Sequence, residues 1–436
     1  SIISHAKHGP GVSLGNLYKD GAVTEYYKWR TLPYSVTQGT LALAKTAILS
    51  DPRWVGALDN WYRKEFKIPI GAPIDTRAFW SAVLKVVPGS RTTSVPKTAK
   101  IDRTIAIEPL LNVFFQLGVD FLFRKAIKQW GYDLNTQERN QDLALEASVD
   151  GKLATIDLSM ASDLISLKIC EILLPPAWFD LLHDLRCPVT ELEKQVVPLE
   201  KISSMGDGFT FALESLIFAS LVRCSIRRTK SARKSAVFGD DLIVPTTAYH
   251  YLLDLLEYSG FKVNKEKSFI SGPFRESCGK DFFLGYDVRP IFLKRKVHTV
   301  RDLFYVHNAL YSLQERLDWT WDVDLSATMN MVKNWIPAKY RNQFFGPPSE
   351  SLDTHLFSGK RLKRNLFGQR VYWQIIAKPK RFNSSTDFFF RKLMIQLRAR
   401  SPSNIWDRRR RLSTGNAFDV TKRGKVLLIS AKVCLP

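Results

Sequence analysis

Cysteine is scarce in this chain of 436 residues: there are five, Cys170, Cys187, Cys224, Cys278 and Cys434. They are odd in number and show no paired spacing. That excludes a disulfide framework and a cysteine-rich zinc site, and a reducing compartment is expected. The seven histidines show no zinc-helix spacing. There is no Gly-x-x-x-x-Gly-Lys phosphate loop and no Gly-x-Ser-x-Gly elbow, which sets aside two large enzyme classes. The most apolar stretch, Leu110 to Phe123, is interrupted by Gln116 and Asp120 and is too short and too polar to span a bilayer. The chain opens on Ser1 without a basic-then-apolar leader, so no secretory signal is expected. No internal repeat is visible. Acids are outnumbered, 42 against 64 Lys and Arg, giving a net charge of +22. Such a surplus favours a polyanionic partner, nucleic acid first and an anionic membrane surface second.

What is present describes a folded protein. Hydrophobic residues are 45% and charged residues 24%, and the length suits two or three subdomains better than one. Aromatics, at 12%, serve base stacking as well as a core. From Lys360 to Arg411 there are 16 Lys or Arg against two acids, with aromatics interleaved. A uniformly disordered tail would not carry so many rings, so a folded or RNA-ordered segment is expected.

The apolar pattern places several elements. Lys152 to Leu158 reads as a short buried strand ending in Asp157. Leu164 to Leu174 reads as one helix stopped by Pro175-Pro176. Ser203 to Asp207 is a small, flexible loop, followed by an apolar helix from Phe209 to Arg223. Ala236 to Pro245 is two apolar runs flanking Gly239-Asp240-Asp241, a β-hairpin. Tyr249 to Ser259 is a helix capped by Gly260. Phe282 to Tyr286 and Ile291 to Lys294 read as strands. Arg91, Lys97, Lys100 and Arg103 lie in a polar stretch leading into the strand-like run 104–107, either a phosphate-holding basic loop or a solvated one.

Three acids stand out. Asp157 ends a strand, and Asp240 and Asp241 sit at a hairpin turn. Taken singly, the turn needs nothing more than its Gly and Asp, and Asp157 nothing more than a cap. Brought together, carboxylates repel one another unless a cation lies between them. Hard oxygen donors suit Mg2+, with Mn2+ as the alternative. Two such ions ~4 Å apart can polarise an attacking hydroxyl and stabilise a departing pyrophosphate.

At this point the residues match a family. The stretch 154–163, Ala-Thr-Ile-Asp-Leu-Ser-Met-Ala-Ser-Asp, resembles motif A of template-dependent RNA polymerases. The stretch 203–215 resembles motif B, and Phe238-Gly239-Asp240-Asp241 resembles motif C. Val95-Pro96-Lys97 through Arg103 to Pro109 is similar to the basic motif F, and Gly272 to Lys280 to the segment after motif D. The wording is closest to the replicase β subunits of single-stranded RNA bacteriophages, the leviviruses. The resemblance runs with gaps from about His8 to about Leu310.

The resemblance implies an α+β, right-hand polymerase with fingers, palm (an antiparallel sheet plus helices) and thumb. Fingers would occupy 1–150, with their opening part missing. The palm, with motifs A to E, would occupy 151–300, with a fingers insertion at about 175–202. The thumb and basic C-terminal region would occupy 301–436. The activity would be RNA-directed RNA synthesis from ribonucleoside triphosphates, replicating a phage genome in the cytoplasm of the bacterial host. Partners would be RNA template and product, host elongation factors Tu and Ts and a ribosomal protein, with no membrane.

Position by position, Asp157 and Asp240 would be the main metal ligands, with Asp241 beside them. Asp163 would read the ribose 2′-hydroxyl. Ser204, Gly206 and Thr210 would shape the loop under the nucleotide and template. Lys97 and Arg103 would grip the triphosphate. Lys267, with Lys265 nearby, would protonate pyrophosphate. Arg275, Glu276 and Cys278 would lie by the primer-side strand, the thiol as a buried structural group. Asp207 stands where close relatives carry Asn, putting an extra acid near the nucleotide pocket. Glu214 stands where the wider superfamily has an Asn that helps read the sugar. A reverse transcriptase is the nearest alternative, disfavoured by Gly239 and by Asp163 in place of a bulky gate. A non-catalytic RNA-binding protein would leave the three placed acids unexplained.

Overall fold

The computed structural model describes residues 1–9, 11–15, 25–96, 101–293, 296–321, 324–358, 362–364, 370–377 and 428–435. After two short helical segments and a three-residue strand come helices α1 (Gln38–Leu49) and α2 (Pro52–Phe66), the second capped by Asp51, whose carboxylate accepts from Arg53 N–H at 3.1 Å. The polar stretch expected as a basic loop is instead a hairpin. Strand β1 (Ser90–Pro96) pairs antiparallel with β2 (Asp102–Ile107), setting Val95 opposite Arg103. Alternating Thr, Ser and Val residues favour this extended form. Lys97 and Lys100 lie outside the described residues.

The apolar run at Leu110 becomes α3 (Leu110–Gln129), entered through Pro109. Leu110, Leu111, Phe115, Val119 and Ile127 are fully buried. The polar residues that interrupt the run are satisfied inside the protein. Asn112 Nδ2 and Gln116 Nε2 both donate to Leu185 O, at 3.1 and 2.9 Å. Such pairing is what allows buried amides in a core helix. Among the described residues no helix is long and apolar enough to cross a membrane.

Helix α4 (Glu138–Asp150) ends at Gly151 in the left-handed region (φ +67°) and leads to strand β3 (Leu153–Ser159). The single helix expected over 164–174 is broken. A short 3₁₀ turn, Ala161–Leu164, precedes an extended step, and α5 (Leu167–Leu173) starts only after Ser166. Two contacts enforce the break. Ile165 and Ser166 pair with the 201–202 backbone, and the Ser166 hydroxyl caps α5 by accepting from Ile169 N–H at 3.2 Å. Helix α6 (Pro176–Leu185) and the hairpin β4 (Val189–Leu192) and β5 (Gln195–Pro198) follow. Strand β4 runs parallel to β1, so the sheet order is β2-β1-β4-β5.

The second four-stranded sheet carries the acids. Helix α7 (Thr210–Arg228) precedes the hairpin β6 (Ala236–Phe238) and β7 (Asp241–Pro245). Helix α8 (Tyr249–Tyr258), with Gly260 just beyond its end, precedes β8 (Lys262–Val263). The order is β8-β3-β7-β6, antiparallel throughout. Side chains alternate across it with the period of two that a strand imposes. Ala154, Ile156, Leu158, Leu242 and Val244 join the main core with α7 and α8. Leu153, Ala236 and Ile243 join a second core with Leu143, Ala144 and Ala147 of α4.

Phe282 completes that second core from a small meander, β9 (Phe274–Ser277), β10 (Lys280–Phe283) and β11 (Tyr286–Asp287). The strand expected over 282–286 is split because Leu284 and Gly285 both take positive φ and form a turn. Residues 291–293 are not a strand: Pro290 precedes them, and Phe292 and Leu293 are exposed. Helix α9 (Val300–Trp321) starts a third cluster around Phe304, Ile336 and Phe344. Strands β12 (Arg370–Ala377) and β13 (Leu428–Leu435) pair antiparallel. Apart from these strand residues and 362–364, the basic 360–411 region lies outside the described residues. The molecule is thus a mixture of helices and largely antiparallel sheets, in keeping with the expected α+β class.

Candidate catalytic carboxylate site

Phe238 pairs with Asp241, which leaves Gly239 and Asp240 as a two-residue turn. Gly239 has φ +61°, and a Cβ there would lie 2.7 Å from the Phe211 ring, so the position demands glycine. Its N–H donates to Ser215 Oγ at 2.9 Å, pinning the turn to α7. Across the sheet Asp157 is the direct partner of Asp241. Directly opposed residues of antiparallel strands project to the same face. The three acids expected from the sequence therefore meet at one end of one sheet.

Their environment is strained by like charge. Burial pushes the Asp241 carboxyl up to about 6, and the charges of Asp240 and Asp157 add to the shift. Cys278 N–H and Ser277 Oγ donate to Asp241 Oδ1 at 3.0 and 3.3 Å, and the former opposes it. Asn264 Nδ2 donates to Asp157 Oδ2 at 2.9 Å, and Asp157 N–H donates to Ser268 Oγ at 3.2 Å. Glu214 of α7 is buried, and burial, then the charge of Asp240, pushes its carboxyl up to about 8. Among the described residues no three His, Cys, Asp or Glu side chains are gathered tightly enough to hold an ion. The donor chemistry nevertheless suits a hard dication: carboxylates at one end of one sheet, held in mutual repulsion that a cation would relieve.

Lys267 lies in the same turn as Asn264 and Ser268, with its N–H donating to Asn264 O at 3.1 Å. Its ammonium is half exposed and 3.8 Å from Glu276 Oε1. Lys265 is exposed beside it. Arg275 has a different place from the one expected at a primer-side strand. It is fully buried, and its guanidinium donates to the carbonyls of Leu153, Ile270, Ser271, Gly272 and Phe274. Cys278 is buried, as expected, and burial pushes its thiol up.

The remaining expected residues form a second group, on the loop before α7. Thr210 Oγ1 donates to Ser204 O at 2.7 Å. Ala106 N–H of β2 donates to Met205 O at 2.7 Å, so the loop lies against the strand that bears Arg103. Gly206 has φ +130°, and a Cβ there would sit 2.2 Å from Ala106 O. Arg103 is exposed near the start of β2, and Lys97 is outside the described residues. Asp163 is ion-paired to Lys201 at 2.5 Å. Asp207 departs from expectation. Its Oδ1 is sealed from solvent without a hydrogen-bond partner, and the carboxyl lies beside that of Glu108. Helix α7 joins the two groups, with Thr210 at its start and Ser215 at the acid turn.

Several residues that build the site lie outside every motif: Asn264 and Ser268 on Asp157, and Asn140, whose Nδ2 donates to Asp241 O at 3.1 Å. Glu108 falls within the stretch similar to motif F, but nothing in the sequence marks it as a neighbour of Asp207.

A family model described as RNA replicase, beta-chain, matches residues 66–415. The RNA-directed RNA polymerase subunit beta of Escherichia virus Qbeta is 49% identical over 240 residues, 54% of this chain and 40% of that protein. The counterpart in Enterobacteria phage SP is 44% identical over 283 residues, 64% of this chain and 48% of that protein. The chain thus spans under half the length of these relatives. Among solved structures, the RNA-dependent RNA polymerase of BmCPV at elongation state aligns with 56% of this chain and 26% of that one, at 11% identity and a TM-score of 0.38.

Proposed function

The chain belongs to the RNA replicase β-chain family, and from that membership we propose that it carries the nucleotidyl-transfer site of an RNA-directed RNA polymerase that replicates a positive-strand RNA phage genome. The observation that supports this most is the register of Asp157 opposite Asp241, with Asp240 at the adjoining turn. In this reading residues 1–150 are fingers, 151–300 the palm and 301–436 the thumb with a basic extension.

Asp157, Asp240 and Asp241 would hold Mg2+. When bound, the two ions would activate the RNA 3′-hydroxyl and stabilise the departing pyrophosphate. The chain's own residues do the rest. Asn264 fixes the Asp157 carboxylate, and Cys278 N–H and Ser277 fix that of Asp241. Arg103 supplies positive charge to the triphosphate from β2, and Lys97 joins it by position in the motif. The loop at Ser204, Gly206 and Thr210 forms the floor under the nucleotide. Asp163 accepts from the ribose 2′-hydroxyl after releasing Lys201. Lys267, beside the turn that holds Asp157, donates the proton that pyrophosphate needs. RNA template and product and ribonucleoside triphosphates are the substrates. Host elongation factors Tu and Ts, a ribosomal protein and action in the bacterial cytoplasm follow from the family resemblance.

The test is incorporation of labelled ribonucleotides on an RNA template with Mg2+, primed and unprimed, beside a deoxyribonucleotide set. Template-dependent RNA synthesis supports the proposal. Incorporation of deoxyribonucleotides instead would assign a reverse transcriptase.

A further inference from the structure

Helices α3 and α7 run side by side in the same direction. Gln116 Oε1 accepts from Gly208 N–H just before α7, Arg124 lies over Phe211, and Arg223 lies over Trp130. Their C-terminal ends therefore meet at one pole. At 1.5 Å per residue that pole, at Arg228, is about 20 Å along α7 from Ser215 and the acid turn. Six of the twelve residues from Arg223 to Lys234 are Lys or Arg and none is acidic. All six are exposed. Lys234 pairs with Glu146. Arg227, Arg228, Lys230 and Arg233 have no acidic partner among the described residues. One or two cations in a last turn complement a helix dipole; this run exceeds that need and continues past the helix end.

The cations surround an aromatic. Trp130, at the end of α3, is 39% exposed. The Arg223 guanidinium lies 5.2 Å from its ring centroid, which leaves part of the indole open to solvent. Unpaired cations beside an open ring are the two elements that hold single-stranded nucleic acid: charge for phosphates and a flat face for a base. An acidic protein surface would use the charge and leave the indole without a role.

We propose that the pole formed by Trp130, Arg223, Arg227, Arg228 and Lys230 binds single-stranded RNA at a distance from the carboxylates. The site holds a strand of the polymerase's template or product outside the catalytic centre. It takes its RNA partner from the proposed function, but its test needs no catalysis.

The structure supplies a local reporter. Cys224 is exposed within the patch, whereas Cys170, Cys187 and Cys278 are buried. The unaltered protein is alkylated with N-ethylmaleimide, and the Cys224 peptide is followed by mass spectrometry. A single-stranded RNA 12-mer, polyglutamate of equal charge, or no addition is present, and RNA binding is read in parallel by fluorescence anisotropy. RNA should slow modification of Cys224 at least ~5-fold, polyglutamate should do so less, and 0.5 M salt should abolish the protection. The triple variant Arg227→Gln, Arg228→Gln, Lys230→Gln should lower the salt slope of RNA affinity by about 2, at ~0.7 per phosphate contact. Trp130→Leu should weaken RNA binding ~10-fold and erase the preference over polyglutamate. RNA bound by anisotropy with Cys224 modified at its free rate would overturn the proposal and leave the polymerase reading intact. Protection by polyglutamate equal to that by RNA would assign the pole to an acidic protein instead.

Discussion

The Asp207 carboxyl lies beside the buried carboxyl of Glu108, where the 203–208 loop meets the end of β2, and its Oδ1 is sealed from solvent without a hydrogen-bond partner. Cys187 Sγ and Gln116 Nε2 donate to Glu108, at 3.1 and 3.3 Å. Burial pushes both acids above the ordinary carboxyl range, and for Asp207 the neighbouring Glu108 charge adds to it. Two neighbouring buried acids repel one another unless at least one of them is protonated.

That arrangement makes stability depend on pH. The folded state favours the protonated pair, so its contribution is complete below about pH 4, the unfolded carboxyl range, and is lost as pH rises through the folded values. Asp207→Asn supplies a permanent donor to Glu108 and removes the repulsion. Its melting temperature should exceed that of the wild type by roughly 2–4 °C at pH 8, for about 2 kcal/mol, and should match it near pH 4. A variant less stable at every pH would contradict the protonated-pair account.

Gly206→Ala should be costly out of proportion to one methyl group. The backbone is at φ +130° and the new Cβ would press on Ala106 O, a backbone atom that can yield only by moving β2. We expect a loss of about 2–4 kcal/mol in urea unfolding. Nucleotide incorporation should fall more than tenfold, because the loop and the Arg103 strand separate.

Arg275 is a staple for five backbone carbonyls, not a surface for nucleic acid. Arg275→Met should leave those acceptors unpaired and cost at least ~3 kcal/mol in urea unfolding. Unchanged stability combined with weakened RNA binding would return Arg275 to the primer-side role its motif suggested.

Asn264 reaches Asp157 from a neighbouring turn. Asn264→Ala should cost only about 1 kcal/mol of stability. The Mg2+ concentration for half-maximal incorporation should rise ~10-fold, as for the loss of a partner that orients a metal ligand. An unaltered Mg2+ dependence would mean that the amide serves packing alone.

The acid site was legible because its signals are local. A strand bearing Asp157, a Gly-Asp turn between two apolar runs and the two-residue strand period are enough to set Asp157 opposite Asp241, although the strand runs past Asp157 to Ser159. What escaped is tertiary. The break before Leu167 comes from residues 201–202 pairing with 165–166, some 35 positions away. The inward turn of Asp207 depends on Glu108, and the hold on Asp157 depends on Asn264. No composition or periodicity marks such partners. The positive φ at Leu284, which splits an expected strand, is equally silent in an apolar run.

The central claim is that Asp240 belongs to the reacting centre of an RNA-directed RNA polymerase, and Asp240→Asn tests it most directly. The substitution keeps the shape of a turn residue that is not fully buried, so folding should be preserved. Wild type and variant would be compared for template-dependent incorporation of labelled ribonucleotides with Mg2+, alongside RNA binding and melting temperature. The account predicts robust synthesis by the wild type when any required host factors are supplied. It predicts at least a ~1000-fold loss in the variant, with RNA affinity and melting temperature within error of wild type. Synthesis by the variant at the wild-type rate would contradict it.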